Sequence, residues 1–235
     1  MSKQRIIAVA FGAALAANYA HATTLSGDLS ADNAFYAYLS TSPDTLGTFQ
    51  TNGNYWGQAY SFTSSTLPNQ TLYLNIEVIN TGGPGAFLGT FTLSDPNFQF
   101  ANGTQTDSTG LGSASETGWY GSYNSSNSTV SPQTWVVPTG GVLNEAGYNG
   151  ARGEYPYQSS IWYYAEWIWP NDALSSACVT GSGLCTVDFS TTISYTGPSD
   201  TPLPAALPLF ATGLGAMGLL GWRRKRKAGG SLAAA

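Results

Sequence analysis

Residues 71–79 read Thr-Leu-Tyr-Leu-Asn-Ile-Glu-Val-Ile, with Leu72, Leu74, Ile76 and Val78 on one side of an extended chain and Thr71, Tyr73, Asn75 and Glu77 on the other. Alternation of this length is the pattern of a half-buried strand, because successive strand side chains point to opposite faces whereas a helix scatters the same set around its circumference. Similar runs occur at Ala34–Leu39 and Phe87–Leu93, and further candidates at Tyr55–Phe62, Gln133–Val137, Ser160–Trp169 and Thr186–Tyr195. Turn formers separate them: Ser42-Pro43-Asp44, Asn52-Gly53-Asn54, Pro68-Asn69, Gly82-Gly83-Pro84-Gly85, Asp95-Pro96-Asn97 and Asn102-Gly103. No comparable helical period interrupts the series. Short strands at this spacing predict an all-β fold, a single sandwich. Two sections depart from the pattern. Residues 103–131 are rich in Ser, Thr, Gly and Asn and read as a long loop or a pair of weak edge strands, and residues 138–159 read as a second loop.

The two ends carry sorting information. Lys3 and Arg5 precede an apolar run from Ile6 to Ala17, and Ala20-His21-Ala22 offers small residues where a signal peptidase reads, so residues 1–22 are expected to be a secretory signal peptide. At the other end no charge lies between Asp200 and Arg223. At about 1.5 Å rise per residue, Leu203–Trp222 spans roughly 30 Å, the thickness of a hydrocarbon core. Pro202, Pro204 and Pro208 lie at its start, and Arg223, Arg224, Lys225, Arg226 and Lys227 form a cationic stop at its end. The expected division is therefore a signal peptide (1–22), an extracytoplasmic β-sandwich domain (23–197), a Pro-rich linker and sorting motif (198–204), a transmembrane helix (205–222) and a basic cytoplasmic end (223–235).

The succession of Pro202-Leu203-Pro204, an apolar segment and an Arg-rich end resembles the PEP-CTERM sorting signals of Gram-negative bacteria. Leu203 stands where that family usually has glutamate, and residues 228–235 extend past the basic cluster. The resemblance implies an exosortase-type processing enzyme as a partner, anchoring in the inner membrane in transit, and a destination at the cell surface or in the extracellular matrix.

Charge and residue absence narrow the chemistry of the body. All 13 acidic residues fall within residues 23–200, where Arg152 is the only basic one. Such a surface repels phosphate backbones and anionic headgroups, which excludes nucleic acid as a partner. The chain's one histidine, His21, leaves with the signal peptide. Without imidazole or lysine, Ser-His-Asp, Cys-His and Ser-Lys catalysis have no base, and histidine-ligated zinc or copper has no ligand. Carboxylate chemistry remains, with Glu77, Glu116, Glu145, Glu154 and Glu166 as the available glutamates for a glycosidase pair. Their spacing singles out no two of them; Glu166, between Tyr164 and Trp167, is the first candidate acid. Cys178 and Cys185 bracket a Gly/Ser turn, and in an exported chain this predicts a disulfide. Asp28, Asp32 and Asn33 precede a strand and are candidate oxygen ligands for calcium, the only cofactor in view, although Asx turns would use the same residues.

Asp32-Asn33-Ala34-Phe35, Leu46-Gly47, Trp56, the strand ending at Asn80, and Gly82-Gly83-Pro84-Gly85-Ala86-Phe87-Leu88 resemble, in this order, a galactose-binding-like β-sandwich of jelly-roll type. Ala165-Glu166-Trp167-Ile168-Trp169-Pro170 is similar to a tryptophan pair of such modules. The resemblance implies an accessory, sugar-facing role. Trp119, Tyr120 and Tyr123, set in a polar section beside Asn124 and Asn127, are the residues expected to stack on a glycan. Three classes stay open: a carbohydrate-binding or adhesive module, a purely structural envelope or biofilm protein, and a carboxylate glycosidase.

Overall fold

A computed structural model describes residues 23–65, 67–110, 118–124, 135–150, 155–170 and 184–197. The expected signal peptide, the linker and sorting motif, the membrane segment, the basic end and Cys178 lie outside the described residues. The chain divides into two units, Met1–Thr196 and Gly197–Ala235, and every described strand falls in the first. Among the described residues, no helix is long and apolar enough to cross a membrane.

Twelve strands are described: β1 (Thr24–Asp32), β2 (Ala34–Ser40), β3 (Thr48–Gly53), β4 (Tyr60–Ser65), β5 (Leu72–Asn80), β6 (Ala86–Leu93), β7 (Phe98–Phe100), β8 (Thr106–Ser108), β9 (Trp119–Asn124), β10 (Val142–Tyr148), β11 (Glu166–Pro170) and β12 (Cys185–Tyr195). They form two sheets packed as a sandwich. The first has the order β10-β11-β6-β1-β4 with β8 also on β6; the second has the order β3-β2-β5-β12-β7 with β9 also on β12. Every ladder is antiparallel. Only β2–β3 and β10–β11 join strands of one sheet directly; every other connection crosses from one sheet to the other.

The alternating runs became β2, β5, β6 and β12, with bounds shifted by a residue or so. Other expectations need correction. Of Tyr55–Phe62 only the last residues extend, and Ser160–Trp169 is a roofing loop until Glu166; residues 135–137 belong to no strand. In the expected loop at 138–159, Val142–Tyr148 is a strand. Residues 103–131 contain the weak pair of edge strands, β8 and β9.

Strand β1 is not among the expected strands, because its inward positions are Leu25, Gly27, Leu29 and Ala31, two of them too small to register as an apolar stripe. Gly27 is required there by close approach: a Cβ would lie 2.5 Å from Phe91 Cδ1 and 2.6 Å from Phe62 Cε1. The small residue of one strand makes room for the large ones of its neighbours.

The interior is aromatic. Phe87 meets Trp119 edge-on at 5.4 Å and Phe189 at 5.1 Å, Phe91 meets Trp119 at 5.3 Å, and Trp169 reaches Phe189 at 6.1 Å. Leu25, Leu29, Leu74, Ile76, Val78 and Val187 fill the space around them. Both outer faces are roofed as well. Over the first sheet, Tyr155, Ile161 and Ala165 cover Ala86, Leu88 and Trp167. Over the second, Asn75 Nδ2 donates to the carbonyls of Thr45 (3.0 Å) and Leu46 (3.2 Å), and Trp135 Nε1 donates to Pro43 O at 2.9 Å.

Trp119 is fully buried between the sheets. Removing such a ring loses its transfer free energy and leaves a cavity. The Trp119→Ala variant is expected to lose about 3–5 kcal/mol, read by chemical denaturation of the full-length protein; a loss below about 1 kcal/mol would contradict this placement.

Candidate functional site

The loop 155–165 is held by its inward residues. Tyr155 stacks on Trp167 at 4.4 Å and 21°, and Trp56 closes on it edge-to-face at 5.8 Å. The Tyr155 hydroxyl donates to Pro84 O at 2.9 Å and to Asp32 Oδ2 at 3.3 Å. Asn149, wholly buried, ties the loop together: its Nδ2 donates to Gln158 O and Ile161 O, both at 2.9 Å, and its Oδ1 accepts from Gln158 N at 2.8 Å. Trp162 N donates to Thr90 Oγ1 of β6 at 3.1 Å.

With the inward side thus committed, the outward side presents Tyr157, Trp162, Tyr163 and Tyr164, joined by Tyr148 at the end of β10. Each of these rings is between 46 % and 58 % exposed. They form one cluster: Tyr163 and Tyr164 are 5.1 Å apart, Trp162 and Tyr164 5.3 Å, Tyr148 and Tyr164 6.1 Å, and Tyr157 and Tyr163 6.4 Å. The five rings make a contiguous exposed aromatic patch on a braced loop, more apolar surface than the packing of that loop requires.

Beside the patch lies an open groove of about 220 Å³, lined by Asn102, Asp107, Ser108, Thr109, Gly110, Trp162, Tyr164 and Glu166. Asp107 and Glu166 are both buried. The Asp107 carboxylate accepts from Ser108 N at 2.9 Å, Asn102 Nδ2 at 3.0 Å and Thr191 Oγ1 at 3.4 Å. Desolvation pushes its pKa up to about 7, against the opposing pull of these hydrogen bonds. Glu166 is positioned by the donation of its own N–H to Thr109 O at 2.8 Å, which joins the start of β11 to the end of β8. Glu166 is the glutamate singled out from the sequence. Asp107 gave no signal there, because one aspartate in a Thr/Ser-rich section has no distinguishing neighbour.

The residues expected to stack on a glycan are not brought together. Strand alternation turns Trp119 and Tyr123 toward the core and Tyr120 and Asn124 to the opposite face of β9. Asn124 is buried and donates to Asp188 Oδ2 at 2.7 Å. Tyr120 is the most exposed of the set, and the aromatic surface lies instead on 155–165.

The calcium candidates are also dispersed. Asp28 and Asp32 sit at the middle and end of one strand, about 13 Å apart along the chain at about 3.3 Å per residue, too far to share one cation. Asp28 accepts from Ser61 Oγ, and Asn33 Oδ1 accepts from Thr81 N (2.7 Å) and Oγ1 (2.8 Å). Burial raises the Asp32 pKa to about 6, opposed by the Tyr155 hydrogen bond. Among the described residues there is no group of three His, Cys, Asp or Glu placed to hold a metal ion. Cys185 is disulfide-bonded; Cys178, the expected partner, is outside the described residues, as are Glu116 and Glu154.

A further pair of carboxyls lies under the roof of the second sheet. Glu77 and Asp188 face each other across the β5–β12 ladder, both fully buried. Asp188 Oδ2 accepts from Val136 N at 3.0 Å as well as from Asn124. Desolvation, with a contribution from Glu77, raises its pKa to about 7.

Comparison with protein-family models, curated proteins and solved structures finds no match to this chain. Its class is defined by its own geometry: an all-β sandwich of two antiparallel sheets with an acidic groove flanked by exposed aromatic rings.

Asp32, Asp107 and Asp188 have folded pKa values above the usual aspartate value, so folding favours their protonated forms. Their stabilisation is complete below about pH 4 and is lost as pH rises through 6 to 7. The melting temperature of the full-length protein is expected to fall by roughly 5–10 °C between about pH 5 and pH 8, and Glu77→Gln to flatten that slope by relieving Asp188. A melting temperature that rises over this interval would contradict the burial of these groups.

Proposed function

We propose that this chain is an exported surface or extracellular-matrix protein, and that its β-sandwich, of the galactose-binding-like jelly-roll type, is a non-catalytic carbohydrate-binding or adhesive module. Sorting rests on the PEP-CTERM-like tail, with an exosortase-type enzyme and the inner membrane as the partners in transit and polysaccharide as the partner outside. The observation that carries the binding role is the cluster of Tyr148, Tyr157, Trp162, Tyr163 and Tyr164 on a loop whose backbone is fixed by Asn149. A pyranose ring has one face of C–H groups, which stacks on an aromatic ring, and hydroxyls at its rim, which need hydrogen-bonding partners. Asn102, Asp107 and Glu166 line the groove beside the rings.

The ring planes also select the form of the polymer. Adjacent rings meet at 54° to 87°, so the surface is faceted rather than flat. A faceted surface contacts successive sugars of a single twisted chain. It touches the planar face of a crystalline polysaccharide at one ring only.

A second reading, a carboxylate glycosidase, is favoured by one observation: Asp107 and Glu166 line the same groove. The two readings separate experimentally. On an array of soluble and crystalline polysaccharides, the full-length protein is expected to bind a soluble glycan without releasing product. The double variant Trp162→Ala/Tyr164→Ala is expected to weaken binding at least about tenfold and to change the melting temperature little, since both rings are exposed. Product release abolished by Glu166→Gln would instead establish the glycosidase. No binding to any glycan by the folded protein would leave only a structural envelope or biofilm role.

A further inference from the structure

We infer that the sugar site continues past the aromatic patch onto the uncovered half of the first sheet's outer face, and that its ligand is an extended β-linked polysaccharide lying across β8, β6, β1 and β4 with one sugar over each strand. This deepens the binding role proposed above and rests on it.

The strand registers set hydroxyl side chains in rows. Thr63, Ser26, Thr92 and Thr106 stand side by side on β4, β1, β6 and β8. Two residues away on each strand, Ser61, Asp28, Thr90 and Ser108 make a second row on the same face. The residues between the rows, Phe62, Gly27, Phe91 and Asp107, are all buried, so alternation turns both rows outward. Ser61, Thr63, Thr92 and Thr106 are exposed, and the other four are half-buried. Cross-strand contacts tie neighbours together: Ser26 Oγ lies 3.3 Å from Thr63 Oγ1, and Ser61 Oγ donates to Asp28. The roof covers Ala86 and Leu88 and reaches Thr90, where Trp162 N donates to Oγ1. Ser108 lines the groove together with Trp162 and Tyr164. The rows therefore form a low floor that runs without a break into the aromatic wall.

Spacing selects the ligand. Neighbouring strands stand about 4.8 Å apart, close to the advance of one sugar in an extended β-linked chain. A chain crossing the strands meets a fresh side chain of each row at every sugar, the rows lying about 7 Å apart along the strands. A hydroxyl side chain both donates and accepts, as a sugar hydroxyl does. Neighbouring strands also rotate by roughly 20–25°, so the floor is twisted and follows one chain rather than a crystal face.

Strand preference alone does not produce this surface. Threonine favours strands, yet the outward positions of the second sheet include Tyr36, Tyr38, Tyr73, Glu77 and Asp188, which are large or charged. Edge strands are commonly blunted by charge, but β4, at the edge of the first sheet, presents Ser61 and Thr63 there. The first sheet keeps this half of its face low, uncharged except for Asp28, and bare.

The test uses the full-length protein and the soluble polysaccharide it binds on the array, cut by partial hydrolysis into a ladder from dimer to octamer and compared by calorimetry. Affinity is expected to climb at least about tenfold between trimer and heptamer as linked subsites fill. The triple variant Thr63→Val/Thr92→Val/Thr106→Val keeps the branched shape at each position and removes the hydroxyl. It is expected to hold the heptamer no more tightly than the trimer, with trimer affinity unchanged and the melting temperature little altered. Trp162→Ala/Tyr164→Ala is expected to weaken every length instead. An affinity that levels off at the trimer, a climb that survives in the triple variant, or a bound polymer with a coiled α-linked backbone would overturn the inference and leave the patch as a short-ligand site. Binding of no glycan at all would remove the binding role itself. Should the triple variant fail to fold, Thr63→Val and Thr106→Val, at opposite ends of the row, are read singly in the same way.

Discussion

Phe87 of one sheet lies against Trp119 and Phe189 of the other, and the groove is hung from the strand that carries it. β6 pairs β1 along one edge; along its other edge it pairs β8 through Phe91↔Asp107 and β11 through Ile168↔Phe87. Those two partners bring in Asp107 and Glu166, and Thr90 of β6 accepts the hydrogen bond of Trp162. A shift of β6 within the core would move the carboxyls and the rings together. Because most connections cross between sheets, the neighbours of β6 are distant in sequence, and the groove is complete only once those non-local ladders have formed.

Both outer sheet faces are covered by irregular chain, and such cover brings backbone carbonyls where no ladder can satisfy them. Asparagine side chains solve this here. Asn149 satisfies the 155–165 loop, Asn75 satisfies Thr45 and Leu46, and Asn80 bridges the turn at Gly82 and Gly83. An amide offers donor and acceptor without charge, so it can be buried at little penalty once both are used. Carboxylates in the same layers fare differently: Asp107 and Asp188 are displaced toward their neutral forms by burial. The high Asn content of the body, which from composition alone suggests an exposed polar surface, is in part a set of internal braces.

Strands with strong alternation were legible from the sequence, among them the two central strands of the second sheet, β5 and β12, and so was the two-sheet class they imply. Those built on small inward residues, such as β1 around Gly27, or too short to show a period, such as β7 with only Phe98 and Phe100 turned inward, were not. The site was half legible. Glu166 stood out by its aromatic neighbours, whereas Trp119 misled: a ring in a polar sequence has the same local signature whether the strand turns it inward or out. Only the pairing of β9 with β12 decides this, through Trp119↔Thr191. Trp162, Tyr163 and Tyr164 were taken for part of a strand, where alternate rings would have been buried. The Asn149 braces hold that stretch as a loop, which allows three consecutive rings to face water.

The exposure of those rings is itself informative about function. The roof over the first sheet needs Tyr155, Ile161 and Ala165, which fill its underside, and Asn149 beneath it. Nothing in that task requires Tyr157, Trp162, Tyr163 and Tyr164 on the upper side, where serine or asparagine would satisfy the loop and leave less apolar surface in water. Each exposed ring forgoes the free energy of burying most of its area, on the order of 25 cal/mol per Å². On a chain otherwise rich in small polar residues, a cluster of such rings beside two buried carboxyls is a local departure from the composition of the surface around it. Stability does not account for that departure, and the sugar-binding role proposed above would.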